Sequence, residues 1–286
     1  MRVGKKKSLK SLQAGRPPTA SPAGSMTRKA SRTLINRIHQ LEKRKLQAAE
    51  KGDQDSEVAA AADIAALGGL HLYQQASLQG QSPGRGGDTS KVLLEWLPVC
   101  DMKTSNWCPR MLEVGALTCH NACTTSGLFD MVHIDLNSQD PAIKKQDFMK
   151  RPLPERHVDK FDIISLSLVL NFVPSAAARG LMLARTLSFL RTAAPDLPGA
   201  ATMPFPSLFL VLPRSCVGNS RYLTQEKLAL IMDVLGYDMI KSKMSQKLAY
   251  SLWKKNLKAG PTKVRLAKVE VNPGRNRNNF AISLDL

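Results

Sequence analysis

The sequence predicts an α/β fold in which helices cover both faces of a mostly parallel sheet, preceded by a helical, basic arm. After Pro109, short apolar runs alternate with helical patterns, which is typical of parallel strands connected by helices. The run FDIISLSLVL (161–170) is apolar almost throughout, as expected of a strand buried on both faces. Before residue 90 the apolar residues instead follow a helical period among Arg and Lys.

Two segments precede the α/β region. Residues 1–26 include GRPPTASPAGS and have the composition of a disordered basic leader. Residues 27–89 are predicted to form a helical extension. Within it, Leu34, Ile38 and Leu41 recur at i, i+4 and i+7 among basic residues, which predicts a basic helix with one apolar stripe.

Two more helices are expected before the sheet begins. The first runs from about residue 55 to residue 79, and Gly68-Gly69 is expected to interrupt it. The second is short and comprises TSKVLLEWL (89–97), capped by Asp88 or Thr89.

The region from residue 90 to residue 286 is predicted to be one α/β domain. Helices are expected at 175–193 and 224–236, where Gly236 ends the second one. The predicted strands are 110–115, 131–137, 161–168, 207–213, 237–242, 247–254 and 279–286.

The net charge of +18 is concentrated at the two ends of the chain. Residues 1–51 carry +12 and residues 241–286 carry +9, whereas residues 52–240 carry −3. Clustered cations favour a polyanion as partner, because neutralising phosphates releases counterions. Solvated basic tails have the same composition and are the alternative.

Several classes of protein are disfavoured by the composition. No run approaches the roughly 20 apolar residues of a membrane span, and no apolar segment follows the basic start, so we expect neither a membrane protein nor a secretory signal. Cys119 and Cys123 have no matching His/Cys pair, so we expect no metal site and reduced thiols in an intracellular protein.

Three polar positions follow predicted strands and are candidates for cofactor binding. Gly115 ends the first strand, and Asp135 ends the second strand 20 residues later. A carboxylate at that position can accept hydrogen bonds from both hydroxyls of an adenosine ribose. Asp147, in KKQDFMKRPLP, is placed to accept from an adenine amino group, with Phe148 against the ring. An Asp after a strand is equally often a simple turn or cap residue.

The missing glycines discriminate between cofactors. A dinucleotide site needs GxGxxG, because the pyrophosphate must approach backbone amides at a helix N-terminus. Here the turn reads Gly115-Ala-Leu-Thr-Cys-His, so NAD and FAD are disfavoured. S-adenosylmethionine has a ribose but no phosphate, and we expect Gly115 near its methionine part and Asp135 at its ribose.

The loop SLVLNFVP (167–174) is expected to form the rim of the pocket. There Asn171 is placed to hydrogen-bond a substrate base and Phe172 to stack on it, although a helix cap and a core position are the alternative roles. Arg221 suits either a phosphate or a surface carboxylate. No role is assigned to His120 or His133, and no catalytic side chain is identified.

Several blocks resemble the fungal 25S ribosomal RNA adenine-N1-methyltransferase family over residues 31–255. They are SRTLINRIHQLEK, LGGLHLYQQASLQGQ, LEVGALTCHNAC, IDLNSQDPAIKKQDFMKRPLP, FDIISLSLVLNFVP and LFLVLPRSCVGNSRYLT. The resemblance implies a class I methyltransferase (Rossmann-like) fold that uses S-adenosylmethionine, with Gly115 and Asp135 at cofactor-binding positions.

The resemblance also implies methylation of N1 of an adenine in large-subunit rRNA, naked or within a pre-ribosomal particle, by a nucleolar enzyme. We expect a monomer whose basic segments 27–51 and 254–270 contact rRNA phosphates. One alternative is a non-catalytic RNA-binding assembly factor that keeps a methyltransferase-like fold. A protein methyltransferase and a nicotinamide oxidoreductase are further alternatives.

Overall fold

The computed structural model describes most of the chain. The described residues are 27–69, 87–104, 107–138, 140–193, 203–257 and 264–286. The predicted leader 1–26 and most of the predicted helical segment after residue 69 lie outside them.

The basic arm begins with a pair of helices, α1 (Arg28–Lys51) and α2 (Gln54–Ala66), which pack against each other. On α1, Ile38 and Leu41 are buried and Leu34 is half-buried, so the predicted apolar stripe is confirmed. The second helix ends two residues before Gly68-Gly69, which both have positive φ, in agreement with the expected interruption.

The main sheet has seven strands in the order β3-β2-β1-β4-β5-β7-β6. They are β1 (Arg110–Val114), β2 (Asp130–Asp135), β3 (Lys144–Lys145), β4 (Ile163–Ser167), β5 (Ser207–Pro213), β6 (Tyr237–Met244) and β7 (Leu248–Lys255). The first five strands are parallel, and β7 runs antiparallel to both β5 and β6. This order with a reversed β7 is that of the class I methyltransferase sheet, so the predicted fold class is confirmed.

Helices cover both faces of this sheet. They are α3 (Ser90–Trp96), α4 (Val99–Thr104), α5 (Ala122–Thr125), α6 (Ala176–Phe189), α7 (Arg214–Gly218) and α8 (Gln225–Val234). Successive residues of β4 and β5 enter different core clusters: Ile164 and Leu210 pack with α6 and α8, whereas Ile163 and Phe209 pack with α3. The apolar run in β4 is therefore explained by burial on both faces.

The last predicted strand, 279–286, is wrong as a member of the main sheet. Within this segment only Leu284–Asp285 (β9) forms a strand. It pairs with β8 (Arg265–Leu266) in a separate two-stranded sheet. The preceding residues 280–282 are all buried rather than alternating between faces. Ser283 N donates to Ala176 O at 3.1 Å, at the start of α6. A short apolar run in a buried extended segment has the same sequence pattern as a strand.

We predict that Gly180→Ala will lower the free energy of unfolding by about 3 kcal/mol, through overpacking where the C-terminal segment crosses α6. A Cβ at Gly180 would lie 1.9 Å from Ser283 O and 3.0 Å from Leu284 Cδ2. Urea unfolding measures the change. The control is Gly218→Ala in α7, whose Cβ would meet its nearest neighbour at 3.8 Å. Equal effects of the two substitutions would contradict the packing.

Candidate active site

The carboxyl ends of β1 and β4 meet at the point where the strand order reverses, which is where open α/β sheets bind ligands. Gly115 follows β1 with φ +73°, and its N–H donates to Ile134 O at 2.8 Å. A Cβ on Gly115 would lie 2.6 Å from Cγ2 of Val169, in the segment after β4. Both the conformation and the space therefore require glycine.

The two predicted cofactor carboxylates lie on neighbouring chain segments at the same edge. Asp135 ends β2, and its Oδ1 accepts from Asn137 N at 2.8 Å. Its carbonyl accepts from Gln146 N at 2.8 Å, which places Asp147 nearby. Asp147 Oδ1 accepts from Met149 N at 2.8 Å. Each carboxylate thus stabilises a local turn. A carboxylate accepts several hydrogen bonds, so the turn contact leaves lone pairs for a ligand. The ribose and adenine contacts stay predictions.

The expected stacking of Phe148 on an adenine ring is wrong. Phe148 is only 2% exposed, and its ring packs against Phe189 of α6 at 5.2 Å between centroids. Arg185 Nε also donates to the backbone carbonyl of Phe148 at 2.9 Å. The side chain is part of the core because the 3-10 turn capped by Asp147 directs it toward α6.

The chain leaves β4 in a strained turn that leads into Asn171. Leu168 has φ +59°, which is unfavourable for a leucine and is found where the surrounding structure enforces it, often at functional sites. Asn171 then lies in a 3-10 turn, Leu170–Phe172. Its Oδ1 is buried and has no hydrogen-bond partner among the described residues. No signal in the sequence marked the strain at Leu168.

A buried polar network lies beneath the loop that follows β1. Asn121 Nδ2 donates to Glu113 Oε2 at 2.7 Å, and His133 Nε2 lies 2.9 Å from Thr124 Oγ1 and 3.5 Å from Glu113 Oε2. Burial raises the pKa of Glu113 to about 7, with a smaller contribution from the Asp88 charge, and burial lowers the pKa of His133. Glu113 was not among the residues predicted from the sequence, although a carboxylate inside the apolar strand MLEVG indicates a special role.

We predict that the Glu113→Gln variant will lose part of the pH dependence of stability. In the unfolded chain this carboxyl is already ionised at pH 6.5, whereas the folded protein must release its proton near pH 7 against burial. The free energy of unfolding of the wild type should therefore fall by about 1 kcal/mol more than that of the variant between pH 6.5 and 8.5. Urea unfolding at both pH values tests this, with exposed Glu95→Gln as control. Parallel slopes for wild type and Glu113→Gln would refute it.

The first amides of α5 are already bonded within the protein. Ala122 N donates to Asp88 Oδ2 at 2.5 Å, and Cys123 N donates to Ser90 Oγ at 3.2 Å. In a dinucleotide site the amides at this helix N-terminus face the pyrophosphate. Here a carboxylate of the chain itself takes that position, which argues against NAD or FAD on geometric grounds as well.

Arg221 bonds to the C-terminal segment of the chain rather than to a surface carboxylate, and a phosphate contact stays a prediction. Its guanidinium donates to Gly274 O at 2.8 Å and to Asn279 Oδ1 at 3.1 Å. Asn219 Nδ2 likewise donates to Asn276 O at 3.2 Å. This loop fastens the C-terminal segment to the domain, because each polar side chain finds a partner on that segment.

The chain matches the family model described as "25S rRNA (adenine(2142)-N(1))-methyltransferase, Bmt2" over residues 58–282. The chain belongs to this family. The resemblance inferred from the sequence blocks is thereby confirmed. The Bmt2 match begins at residue 58, so it includes most of α2 and the segment that leads into the sheet.

Two yeast relatives of the Bmt2 family match most of the chain. The "25S rRNA (adenine(2142)-N(1))-methyltransferase" of Saccharomyces cerevisiae is 40% identical over 221 residues, which span 76% of this chain and 60% of the relative. The "25S rRNA adenine-N(1) methyltransferase" of Schizosaccharomyces pombe is 39% identical over 221 residues, spanning 75% of this chain and 76% of the relative.

Among solved structures, an rRNA methylase from Escherichia coli aligns with a TM-score of 0.39 and 14% identity, covering 78% of this chain and 92% of that one. The fold assignment therefore rests on the strand order. Within the described ranges, no helix has the length and apolar character to cross a membrane. The same residues contain no group of three or more His, Cys, Asp or Glu that could hold a metal ion.

Proposed function

We propose that this chain is an S-adenosylmethionine-dependent methyltransferase that methylates N1 of an adenine in 25S rRNA. Its membership of the Bmt2 family supports the reaction and the substrate. The structural observation that carries the proposal is Asn171 Oδ1, a buried acceptor without a partner among the described residues, in the 3-10 turn that follows β4. An acceptor left in this state fits a site that is completed by a hydrogen-bond donor from outside the chain.

The residues at this edge of the sheet fit S-adenosylmethionine. When bound, this cofactor supplies an electrophilic methyl group on a sulfonium. Gly115 lets the loop after β1 pass close to Val169 at the carboxyl end of the sheet, where the methionine part of the cofactor is proposed to lie, and Asp135 presents a carboxylate at the end of β2 for ribose hydroxyls. Asp147 is proposed to accept from the adenine amino group of the cofactor.

In the proposed reaction the lone pair of adenine N1 forms the bond to the methyl carbon while the carbon–sulfur bond breaks. The products are 1-methyladenine, which is cationic, and S-adenosylhomocysteine. N1 carries no proton, so no side chain has to act as a strong base. Asn171 Oδ1 accepts from the exocyclic amine beside N1 and so orients the nitrogen. Because N1 lies on the Watson–Crick edge, the adenine must be unpaired or flipped out.

Affinity for rRNA is proposed to come from α1. Its Lys29, Arg37, Arg44 and Lys51 side chains are exposed, and such cations contact phosphates without reading sequence. The first two residues of the second basic segment, Lys254 and Lys255, also make contacts within the domain. Lys254 Nζ donates to Met203 O at 2.7 Å and Lys255 Nζ to Leu187 O at 2.8 Å, so both lysines fasten the domain.

We further propose that the protein acts as a monomer in the nucleolus. Light scattering of the purified chain tests the first statement. Fluorescence microscopy of the tagged protein against a nucleolar marker tests the second.

The decisive experiment incubates the full chain with S-adenosylmethionine and either 25S rRNA transcripts or pre-ribosomal particles. A methyl group on N1 blocks Watson–Crick pairing, so primer extension stops at the modified adenine. Calorimetric titration with S-adenosylmethionine runs in parallel on the wild type, on Asp135→Ala and on the exposed control Asp101→Ala.

The expected result is methylation at one adenine, with cofactor binding lost only in Asp135→Ala. Salt-sensitive RNA binding without methylation on either substrate would favour the non-catalytic assembly factor instead. Weak, salt-insensitive RNA binding together with methylation of protein would favour a protein methyltransferase.

A further inference from the structure

Residues 88 and 89, which immediately precede α3, bond to chain segments on both sides of the proposed site. Thr89 Oγ1 lies 2.8 Å from Ser167 Oγ, at the carboxyl end of β4. The adjacent Asp88 bonds to Ala122, the first residue of α5, across the loop that follows β1. Two consecutive residues therefore join the two chain segments between which the strand order reverses.

Asp88 uses both carboxylate oxygens in this contact. Its Oδ1 accepts from Ser90 N at 2.9 Å and from Ser90 Oγ at 2.7 Å, which fixes the carboxylate on the start of α3. Its Oδ2 accepts from Ala122 N at 2.5 Å. Ser90 Oγ in turn accepts from Cys123 N at 3.2 Å. Hydrogen bonds to an ionised acceptor are stronger than those between neutral groups.

The loop 115–121 needs such an external support. It lacks the glycines that let a dinucleotide-binding loop fold tightly around its ligand, and α5 has only four residues, too few to be stable alone. One end of the loop is held at Gly115 by Ile134 O. The other end is held at Asn121 by Glu113 and at Ala122 by Asp88.

We propose that Asp88 and Thr89 are positioning residues for methyl transfer. Asp88 holds the cofactor loop through the Ala122 amide, the first of α5, and Thr89 holds the end of β4 that leads to Asn171. Together they fix the distance between the cofactor side and the substrate side of the site. This inference rests on the proposed function, and it makes the segment before α3 part of the active site.

The test uses Asp88→Asn and Thr89→Val in the full chain. Asparagine keeps the shape of Asp88, but both oxygens of Asp88 accept hydrogen bonds. Whichever way the asparagine amide is turned, its NH2 group faces a donor, so hydrogen bonding is lost on that side. Valine keeps the shape of Thr89 without the hydroxyl. Matched controls are Asp101→Asn and Thr104→Val on α4, where both positions are exposed.

Three quantities are measured for each variant: amide hydrogen exchange of residues 116–125, the Kd for S-adenosylmethionine, and kcat with KM on rRNA. Asp88→Asn should speed the amide exchange of residues 116–125 and raise the Kd for S-adenosylmethionine about 10- to 100-fold. Thr89→Val should lower kcat about 10-fold with little change in Kd, because a small misplacement of the reacting groups slows the chemical step.

A lower melting temperature of Asp88→Asn with unchanged exchange and Kd would overturn the proposal, since a merely structural residue would behave in that way. If the intact chain binds no S-adenosylmethionine with or without rRNA, the proposed function itself fails. Amide hydrogen exchange of residues 116–125 in Asp88→Asn still tests whether Asp88 fixes the loop. Unchanged exchange would overturn the positioning role of Asp88 as well.

Discussion

Replacing Gly115 with alanine should raise the Kd for S-adenosylmethionine at least about 100-fold, because both walls of the site would have to move. The new Cβ would lie 2.6 Å from Val169 Cγ2, so the loop after β1 and the segment after β4 could not keep their present separation. The φ of +73° adds about 1–2 kcal/mol of backbone strain for any residue with a Cβ. Calorimetric titration measures the affinity, and urea unfolding measures the loss of stability.

Two further substitutions separate the contact between the new Cβ and Val169 from the backbone strain at position 115. Gly127 has φ +68° and nothing within 4 Å of a Cβ, so Gly127→Ala should show the strain alone and leave cofactor binding unchanged. Val169→Ala removes the clashing atom, after which the nearest remaining Val169 atom is at 3.8 Å. Gly115→Ala should therefore cost less in the Val169→Ala background, as a double-mutant cycle reveals. Additive effects would contradict the proposed contact.

The sequence predicted the parts of the fold that depend on local patterns. The apolar runs of β1, β2, β4 and β5 and the capped helices α6 and α8 lie close to the predicted ranges. The segment 279–286 was misassigned because its burial against α6 depends on Gly180, which is 99 positions before the start of that segment. Local sequence patterns carry no information about a contact between such distant residues.

Candidate site residues could be named where one residue carries its own signal. Gly115 and Asp135 stand at the ends of apolar strands, which made them candidates, and their contacts with the cofactor stay predictions. Asp88 and Glu113 act through partners on other elements, namely Ala122 and Asn121, and only Glu113 left a trace as a charge within a strand. Leu168 is held at positive φ by its surroundings, and nothing in a leucine predicts that.

The carboxylates of Asp88 and Glu113 also explain how the loop after β1 keeps its conformation with few glycines. A glycine-rich loop folds around the phosphates of its ligand, which supply acceptors for the amides of the following helix. In this chain Asp88 supplies that acceptor, and the Asn121 side chain accepts from Thr124 N at 3.0 Å. The first amides of α5 are therefore bonded within the chain, and S-adenosylmethionine, the proposed cofactor, has no phosphate that needs them.

Asn171→Leu should make the protein more stable and nearly inactive. The Asn171 Oδ1 atom is buried without a partner among the described residues, and such an atom costs about 1–3 kcal/mol. Leucine has nearly the same shape and removes that cost, so the free energy of unfolding should rise by about 1–2 kcal/mol. The kcat on rRNA should fall about 100-fold, as when one preorganised hydrogen-bonding group is lost from an active site. The Kd for S-adenosylmethionine should stay within about twofold, because the contact proposed for Asn171 is with the substrate base and not with the cofactor.

Ser207→Ala is the matched control for the stability term. Ser207 Oγ is also buried without a partner among the described residues, but it starts β5 at the opposite edge of the sheet from Asn171. Its replacement should raise stability in the same way and leave kcat unchanged. If Asn171→Leu instead destabilises the protein by 1 kcal/mol or more, as about one lost buried hydrogen bond would, Oδ1 already has a partner within the chain. Stability gained at Asn171 with activity lost, and stability gained at Ser207 with activity kept, would show that the chain holds an unpaired acceptor at Asn171 for its substrate.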